Sequence, residues 1–327
     1  MEVQVKTIEK LGRLNKRQRF KYKYLTFTFL KKAISRMIIY ALLLELVFVI
    51  IFPFIVKILS SFMSKQDIVD RTVRFLPKNP TLDNFRLVIE KTLYFNSTLN
   101  TFLVALLCGV LSVIAAACIG YGLSKFDFRG KKILIAFVII GFLIPPQTIL
   151  LPLFMRFRYF DIFGLFDLFG GNAINLIDSL WPTTILTITG FGFRGGLYIL
   201  LMYQFYNGLP KELLEAAYVD GCGPYKTFAR IILPLSITML TTIILFSFAW
   251  QWTDTFYSGI FFSGFKVLSN TIFSVSFMPE SGIMYGTRSS SILLNSATLL
   301  ALFPLIIFYL FAQRNLIEGV ERSGIVG

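Results

Sequence analysis

The chain has 327 residues, 55% of them hydrophobic and 16% aromatic, with a mean hydropathy of +0.70. That balance excludes an ordinary soluble domain and points to a polytopic membrane protein. Lys and Arg outnumber Asp and Glu by 32 to 18, a net charge of +14, but the basic excess gathers before the first apolar run, where it sets membrane orientation rather than reading nucleic acid. No His is present, so the usual metal ligand and proton shuttle are missing. Cys108 and Cys118 lie in an apolar run and Cys222 in a polar loop, a pattern that frames no disulfide set. No Gly-x-x-x-x-Gly-Lys-Ser/Thr phosphate loop occurs, so any ATP must be bound by another chain.

Residues 1–36 form a basic tail that sets orientation and attracts lipid headgroups. It is too long for the charged start of a signal peptide, and no small-residue cleavage site follows. The first span is expected over 37–62. Glu45 within it either pairs with a cation on another helix or snorkels, and Pro53 suggests a kink. Residues 63–94 are polar, with Thr81 or Asp83 expected to cap a short helix. The second span, 95–123, carries Asn96, Asn100, Gly109 and Ala115-Ala116-Ala117, small and polar residues suited to close helix packing. A short basic loop follows, with Lys125, Arg129, Lys131 and Lys132, and belongs in the cytoplasm. The third span, 133–154, is broken by Pro145-Pro146-Gln147, and broken helices at membrane depth line cavities or pack on protein.

Residues 155–180 are expected outside, with Asp161, Asp167 and Asp178. The fourth span, 181–206, is interrupted at Gly190-Phe191-Gly192-Phe193-Arg194-Gly195-Gly196. Arg194 is a functional candidate by its depth, the alternative being that it snorkels to the outer surface. The fifth span, 235–262, carries Trp250-Gln251-Trp252-Thr253-Asp254. These residues suit either an aromatic belt or a sugar site built from flat ring faces with amide and carboxylate hydrogen bonds. An external loop over 263–289 leads to the sixth span, 291–311, with Asn295 and Pro304 inside it, and a tail over 313–327.

Between the fourth and fifth spans lies the loop 207–235. Lys211–Val219 reads as a short helix with Leu213, Leu214, Ala217 and Tyr218 on one side. Asp220-Gly221 stops it, because glycine takes the left-handed C-terminal conformation without steric cost. Gly223-Pro224 starts a second helix, and Pro234 marks the return to the membrane. Helices this short are marginal in water, so something must brace them, and a soluble partner is the natural candidate.

Glu215-Ala216-Ala217, then Gly221, then Ile231-x-Leu233-Pro234 resembles the signature loop of membrane subunits of binding-protein-dependent ABC importers. The resemblance is closest to carbohydrate permeases of the maltose-permease second-subunit type and covers most of the chain from Asn79 onward. It implies an all-α, polytopic transmembrane helical bundle of about six spans, of the type I ABC-importer permease (MetI-like) fold, with both termini cytoplasmic. The organisation expected is a basic N-terminal tail (1–36), a permease domain (37–312) holding the coupling loop (207–235), and a C-terminal tail (313–327). The last tail either is disordered or extends to the ATPase dimer interface, as it does in the maltose type. The external loop at 263–289 is expected to reach into a binding protein.

The function implied is translocation of a carbohydrate, most simply an oligosaccharide, across the bacterial plasma or inner membrane. The partners implied are a second, non-identical permease subunit, a cytoplasmic ABC ATPase dimer, an extracytoplasmic solute-binding protein or lipoprotein, and membrane lipid. No nucleic acid, cofactor, metal or catalytic residue is expected, since hydrolysis belongs to the ATPase. The residues assigned to ATPase coupling are Glu215, Ala216, Ala217, Asp220, Gly221, Ile231, Leu233 and Pro234. Those assigned to the substrate path are Arg194, Trp250, Gln251, Trp252, Asp254 and Asn295. A permease for a non-sugar solute and an ion-coupled secondary transporter using Glu45 and Asp254 are the competing readings.

Overall fold

A computed structural model describes residues 27–162, 164, 166, 171–275 and 287–324, without side-chain detail at 27–30, 33, 273, 287–289 and 314–324. Asp167, the segment 276–286 of the expected external loop, residues 1–26 of the basic tail and the last three residues fall outside it. The described chain is helical. Its extended pairing amounts to one isolated antiparallel bridge, Phe160 to Ile174.

Two units are distinguished, residues 1–60 and 61–327. The first holds α1 (Phe27–Ser61), which runs unbroken through Pro53 and starts inside the stretch expected to be a tail. It is apolar all round, the pattern of a membrane span, with Glu45 exposed on it.

In the second unit, the short helices α2 (Lys65–Val69) and α3 (Asp83–Lys91) occupy the polar stretch that precedes the next long helix. Asp67 is buried there and accepts the backbone N–H of Asn79 at 3.0 Å. The expected cap of α3 is corrected by the geometry. Leu82 occupies the N-cap, while the Thr81 hydroxyl accepts the Asp83 N–H at 3.1 Å and Asp83 is already the first helical residue.

α4 (Tyr94–Lys125) is the centre of the bundle, packed by α7 (Trp181–Ile188), α8 (Gly195–Asn207) and α11 (Ile237–Trp252). Its small residues explain why. Ala115, Ala116 and Ala117 are buried, and a methyl group added at Gly120 would lie 2.7 Å from the Met202 Cβ on α8. The backbones of α4 and α8 therefore approach more closely than any larger residue permits. Asn100, also on α4, donates to the Lys266 carbonyl at 2.9 Å, whereas Asn96 is exposed.

The proline pair bends the third span as its sequence implies. α5 (Lys131–Leu143) ends before Ile144, which is extended ahead of Pro145, and α6 (Pro146–Arg158) starts with proline at its first turn. The two helices meet at 102°. The fourth span is more than interrupted. α7 and α8 are separate helices joined by residues 189–194, and neither alone is long enough to cross a bilayer. By length and composition, three described helices qualify singly (Ile34–Ser61, Tyr94–Lys125 and Ser290–Gln313), and up to two more if each bent pair is one span.

The fifth span ends earlier than 262. α11 stops at Trp252, a turn follows, and α12 (Phe256–Phe261) and α13 (Leu268–Val275) are distinct. The last helix, α14 (Thr287–Gly324), continues through most of the stretch expected to be a tail.

Candidate functional site

The loop between α8 and α11 is a helical hairpin. α9 (Lys211–Val219) begins after Pro210, whose missing N–H costs nothing at a helix start. It ends in a paired C-terminal cap. The Gly221 N–H donates to the Tyr218 carbonyl at 3.0 Å and the Cys222 N–H to the Ala217 carbonyl at 2.9 Å, the two bonds of a Schellman motif. That motif needs a left-handed residue, and Gly221 supplies it at φ +75°. A Cβ there would meet nothing within 4 Å, so backbone conformation alone selects glycine.

α10 (Pro224–Leu235) returns toward the bundle. Its middle, Phe228–Ile232, winds as a π-helix just ahead of Pro234. Proline at 234 removes the N–H that would serve the Arg230 carbonyl, and the wider turn before it relieves the clash of its ring. α10 then meets α11 at 73°.

The hairpin is braced from within the chain. The Tyr121 hydroxyl on α4 donates to the Pro224 carbonyl at 3.1 Å, and the Tyr121 ring lies 4.6 Å from that of Phe228. Ala217, Thr227 and Ile232 are buried, and Leu214 packs on the cluster of Tyr121, Tyr206 and Met239. The bracing that such short helices need is thus supplied in part by the chain's own bundle, beside the soluble partner expected from sequence. The inward face of α9 is also narrower than its periodicity suggested. Leu214 and Ala217 face the bundle, while Leu213 and Tyr218 are exposed.

Among the coupling residues, Glu215, Ala216, Asp220, Gly221 and Pro234 are exposed, Ile231 and Leu233 are half-buried, and Ala217 is buried. The tip carries two apolar side chains open to their surroundings, Val219 at 87% and Tyr225 at 85% exposure, which sequence reasoning did not single out. Their flank positions beside the Asp220-Gly221 turn were the available signal.

The second region lies at the break between α7 and α8. Arg194 takes a left-handed backbone at φ 62° at the N-cap position of α8, with no capping bond from its side chain. Next to it, a Cβ on Gly195 would run into the Gly190 carbonyl, so the break closes tightly only around glycine. The Arg194 guanidinium lies 4.4 Å from the ring centre of Trp250 and 5.5 Å from that of Phe193. Both distances are within the range of a favourable cation–π contact. Phe193 in turn meets Tyr257 edge-on at 5.8 Å. Arg194, Phe193 and Tyr257 line a cavity of about 430 Å³ between the break and the α5–α6 bend, walled mostly by apolar and aromatic side chains such as Phe137, Phe142 and Ile199. That volume falls in the range of small-molecule sites.

The structure therefore brings together two of the six residues expected on the substrate path, Arg194 and Trp250. The others are differently engaged. Trp252 is buried and its indole N–H donates to the Ala301 carbonyl on α14 at 3.1 Å. Asp254 is buried, and its carboxylate accepts the N–H groups of Phe256, Tyr257 and Ser258 and the Ser258 hydroxyl, at 2.8 to 3.3 Å. Those bonds cap the first turn of α12. Gln251 is buried at the end of α11, and Asn295 is half-buried on α14. Among the described residues no cluster of His, Cys, Asp and Glu could hold a metal ion.

Apolar helices bent and broken beside a cavity, with a capped hairpin between two of them, fit a membrane-integral transport component. The chain belongs to the family of binding-protein-dependent transport system inner membrane components, whose pattern matches residues 109–322. It is 32% identical over 256 residues to the alpha-glucoside transport system permease protein AglG of Rhizobium meliloti, covering 77% of this chain and 62% of that one. It is thus shorter than that relative, but it spans 92% of the arabinooligosaccharides transport system permease protein AraQ of Halalkalibacterium halodurans, at 28% identity over 284 residues and 86% of this chain. Its fold is similar to a chain of a bacterial ABC transporter involved in the import of the acidic polysaccharide alginate, with a TM-score of 0.67 at 20% identity, covering 87% of this chain and 97% of that one.

Proposed function

We propose that this chain is the permease subunit of an ATP-binding-cassette importer that moves an oligosaccharide across a bacterial plasma membrane. Family membership supplies the transport class, and the sugar-transport names of the two permeases above support a carbohydrate substrate. The observation that carries the mechanism is the hairpin, stiff at its cap, anchored at its base and open at its tip.

In this reading the hairpin and both termini face the cytoplasm, where basic residues concentrate. A cytoplasmic ATPase dimer receives the tip. A second, non-identical permease subunit completes the path, and an extracytoplasmic binding protein delivers the sugar. Force applied at Val219 and Tyr225 passes through Leu214, Ile232 and Phe228 to Tyr121 and Tyr206, and so to α4 and α8. The proline bend between α5 and α6 and the glycine break between α7 and α8 let helix halves swing around the cavity. Arg194 and Trp250 lie on the substrate path, the guanidinium meeting ring or hydroxyl oxygens of the sugar and the indole its flat face. Glu215 pairs with a basic residue of the ATPase. Loss of that pair costs about 3–5 kcal/mol where the contact is desolvated and about 0–1 kcal/mol where it stays wet.

The test is uptake of labelled α-glucoside and arabino-oligosaccharides by cells expressing this chain together with its partner subunits. ATP depletion abolishes uptake under this proposal. Uptake that survives ATP depletion and stops with an ionophore contradicts it and favours an ion-coupled carrier.

A further inference from the structure

Pro304 lies inside α14, away from its ends. A proline there leaves the carbonyl four residues earlier, that of Leu300, without its helical donor. In an apolar bundle such a group has no water to turn to. The structure supplies a donor from another helix. The Tyr94 hydroxyl donates to the Leu300 carbonyl at 2.9 Å. One residue on, the Trp252 indole N–H donates to the Ala301 carbonyl at 3.1 Å. Tyr94 is the first residue of α4 and Trp252 the last of α11, and both side chains are buried. Around them Phe248 and Phe308 pack, their rings stacked at 4.2 Å.

Tyr94 does not need its hydroxyl to fill space, since a phenylalanine ring there packs as well. The coincidence of a proline-orphaned carbonyl with a side-chain donor from one helix, and of the adjacent carbonyl with a donor from a second, marks a joint. We infer that Tyr94 and Trp252 are positioning residues that clasp the Pro304 joint, so that the start of α4, the end of α11 and α14 move as one body during transport. Sliding of α14 against either neighbour breaks a bond that no water replaces, so motion is directed instead to the α5–α6 bend and the α7–α8 break.

The test is a cycle of full-length variants purified in detergent and also expressed with their partners. Tyr94→Phe orphans the Leu300 carbonyl and lowers the melting temperature by about 2–4 °C. Pro304→Ala restores a backbone donor to that same carbonyl, so the double variant recovers most of the loss. Trp252→Phe also lowers the melting temperature, and Pro304→Ala does not rescue it, because the lost bond served a different carbonyl and the smaller ring leaves a gap. In uptake assays, which rest on the proposed function, Tyr94→Phe lowers the maximal rate several-fold with KM for the sugar unchanged, and the double variant restores it. The inference is overturned if Tyr94→Phe leaves both readouts unchanged, or if Pro304→Ala fails to rescue it. Rescue of melting temperature without any uptake in the wild type would instead count against the sugar-import reading and leave the joint standing.

Discussion

Gly221 gives the sharpest single perturbation. Its φ of +75° is required by the two cap bonds that end α9, and the space where a Cβ would go is empty to 4 Å. Substitution therefore acts through backbone conformation and not through a clash. A left-handed L-residue costs about 1–2 kcal/mol, more for a β-branched one and less for asparagine, whose side chain tolerates that region. A cost of about 1–2 kcal/mol lowers the capped population about 5- to 30-fold relative to uncapped forms. Gly221→Val is expected to assemble poorly or to hydrolyse ATP without moving sugar, Gly221→Ala to fall between, and Gly221→Asn to stay close to wild type. The assay is ATP hydrolysis and sugar uptake measured together on reconstituted complex. Normal coupled uptake by Gly221→Val refutes the reasoning. So does an asparagine variant as impaired as the valine one, since that pattern signals a steric contact rather than a dihedral requirement.

Trp250→Ala and Arg194→Gln should each lower uptake while leaving the complex assembled, as judged by co-purification; unchanged uptake in both removes the stack from the substrate path. Asp254→Ala strips the first turn of α12 of its acceptor and leaves buried N–H groups unpaired, a loss of about 1–3 kcal/mol visible in thermal melting, with Asp254→Asn retaining part of it. A melt of Asp254→Ala matching wild type, with lost uptake, would mean that the carboxylate serves substrate instead. Tyr121→Phe removes the bond to Pro224, worth about 0.5–1.5 kcal/mol, and should speed amide exchange across residues 211–235 while leaving α4 protected. Equal exchange rates would show that ring packing alone holds the hairpin.

The hairpin was legible because its rules are local. Asp-Gly ends a helix, Pro after Gly starts one, and each operates within a turn of chain. Which side of α9 faces inward was not local. A nine-residue helix offers two apolar stripes, and packing on residues distant in sequence, such as Tyr121 and Met239, goes with Leu214 and Ala217 turning inward while Leu213 and Tyr218 stay out. The same limit hid the brace itself. The substrate-path residues divide for a related reason. Asp254 and Trp252 have the chemistry of a sugar site, but a buried carboxylate facing the start of a helix is spent on its N–H groups, and an indole beside a proline-containing helix is spent on a carbonyl. The Phe256–Phe261 run just after Asp254 was the signal that it caps a helix. The break at 189–194 was visible from its glycines, yet its completeness was not, because whether two helix halves stay collinear depends on what packs between them.

The central claim is that the α9–α10 hairpin faces the cytoplasm and meets an ATPase. Tyr225, exposed at the tip, is the place to ask. With Cys108, Cys118 and Cys222 replaced, Tyr225→Cys is treated with a membrane-impermeant maleimide in intact spheroplasts and in inside-out vesicles, with and without the bound ATPase. Labelling only in inside-out vesicles, and blocked when the ATPase is present, is the result expected. Labelling in intact spheroplasts places the hairpin outside the cell and contradicts the account.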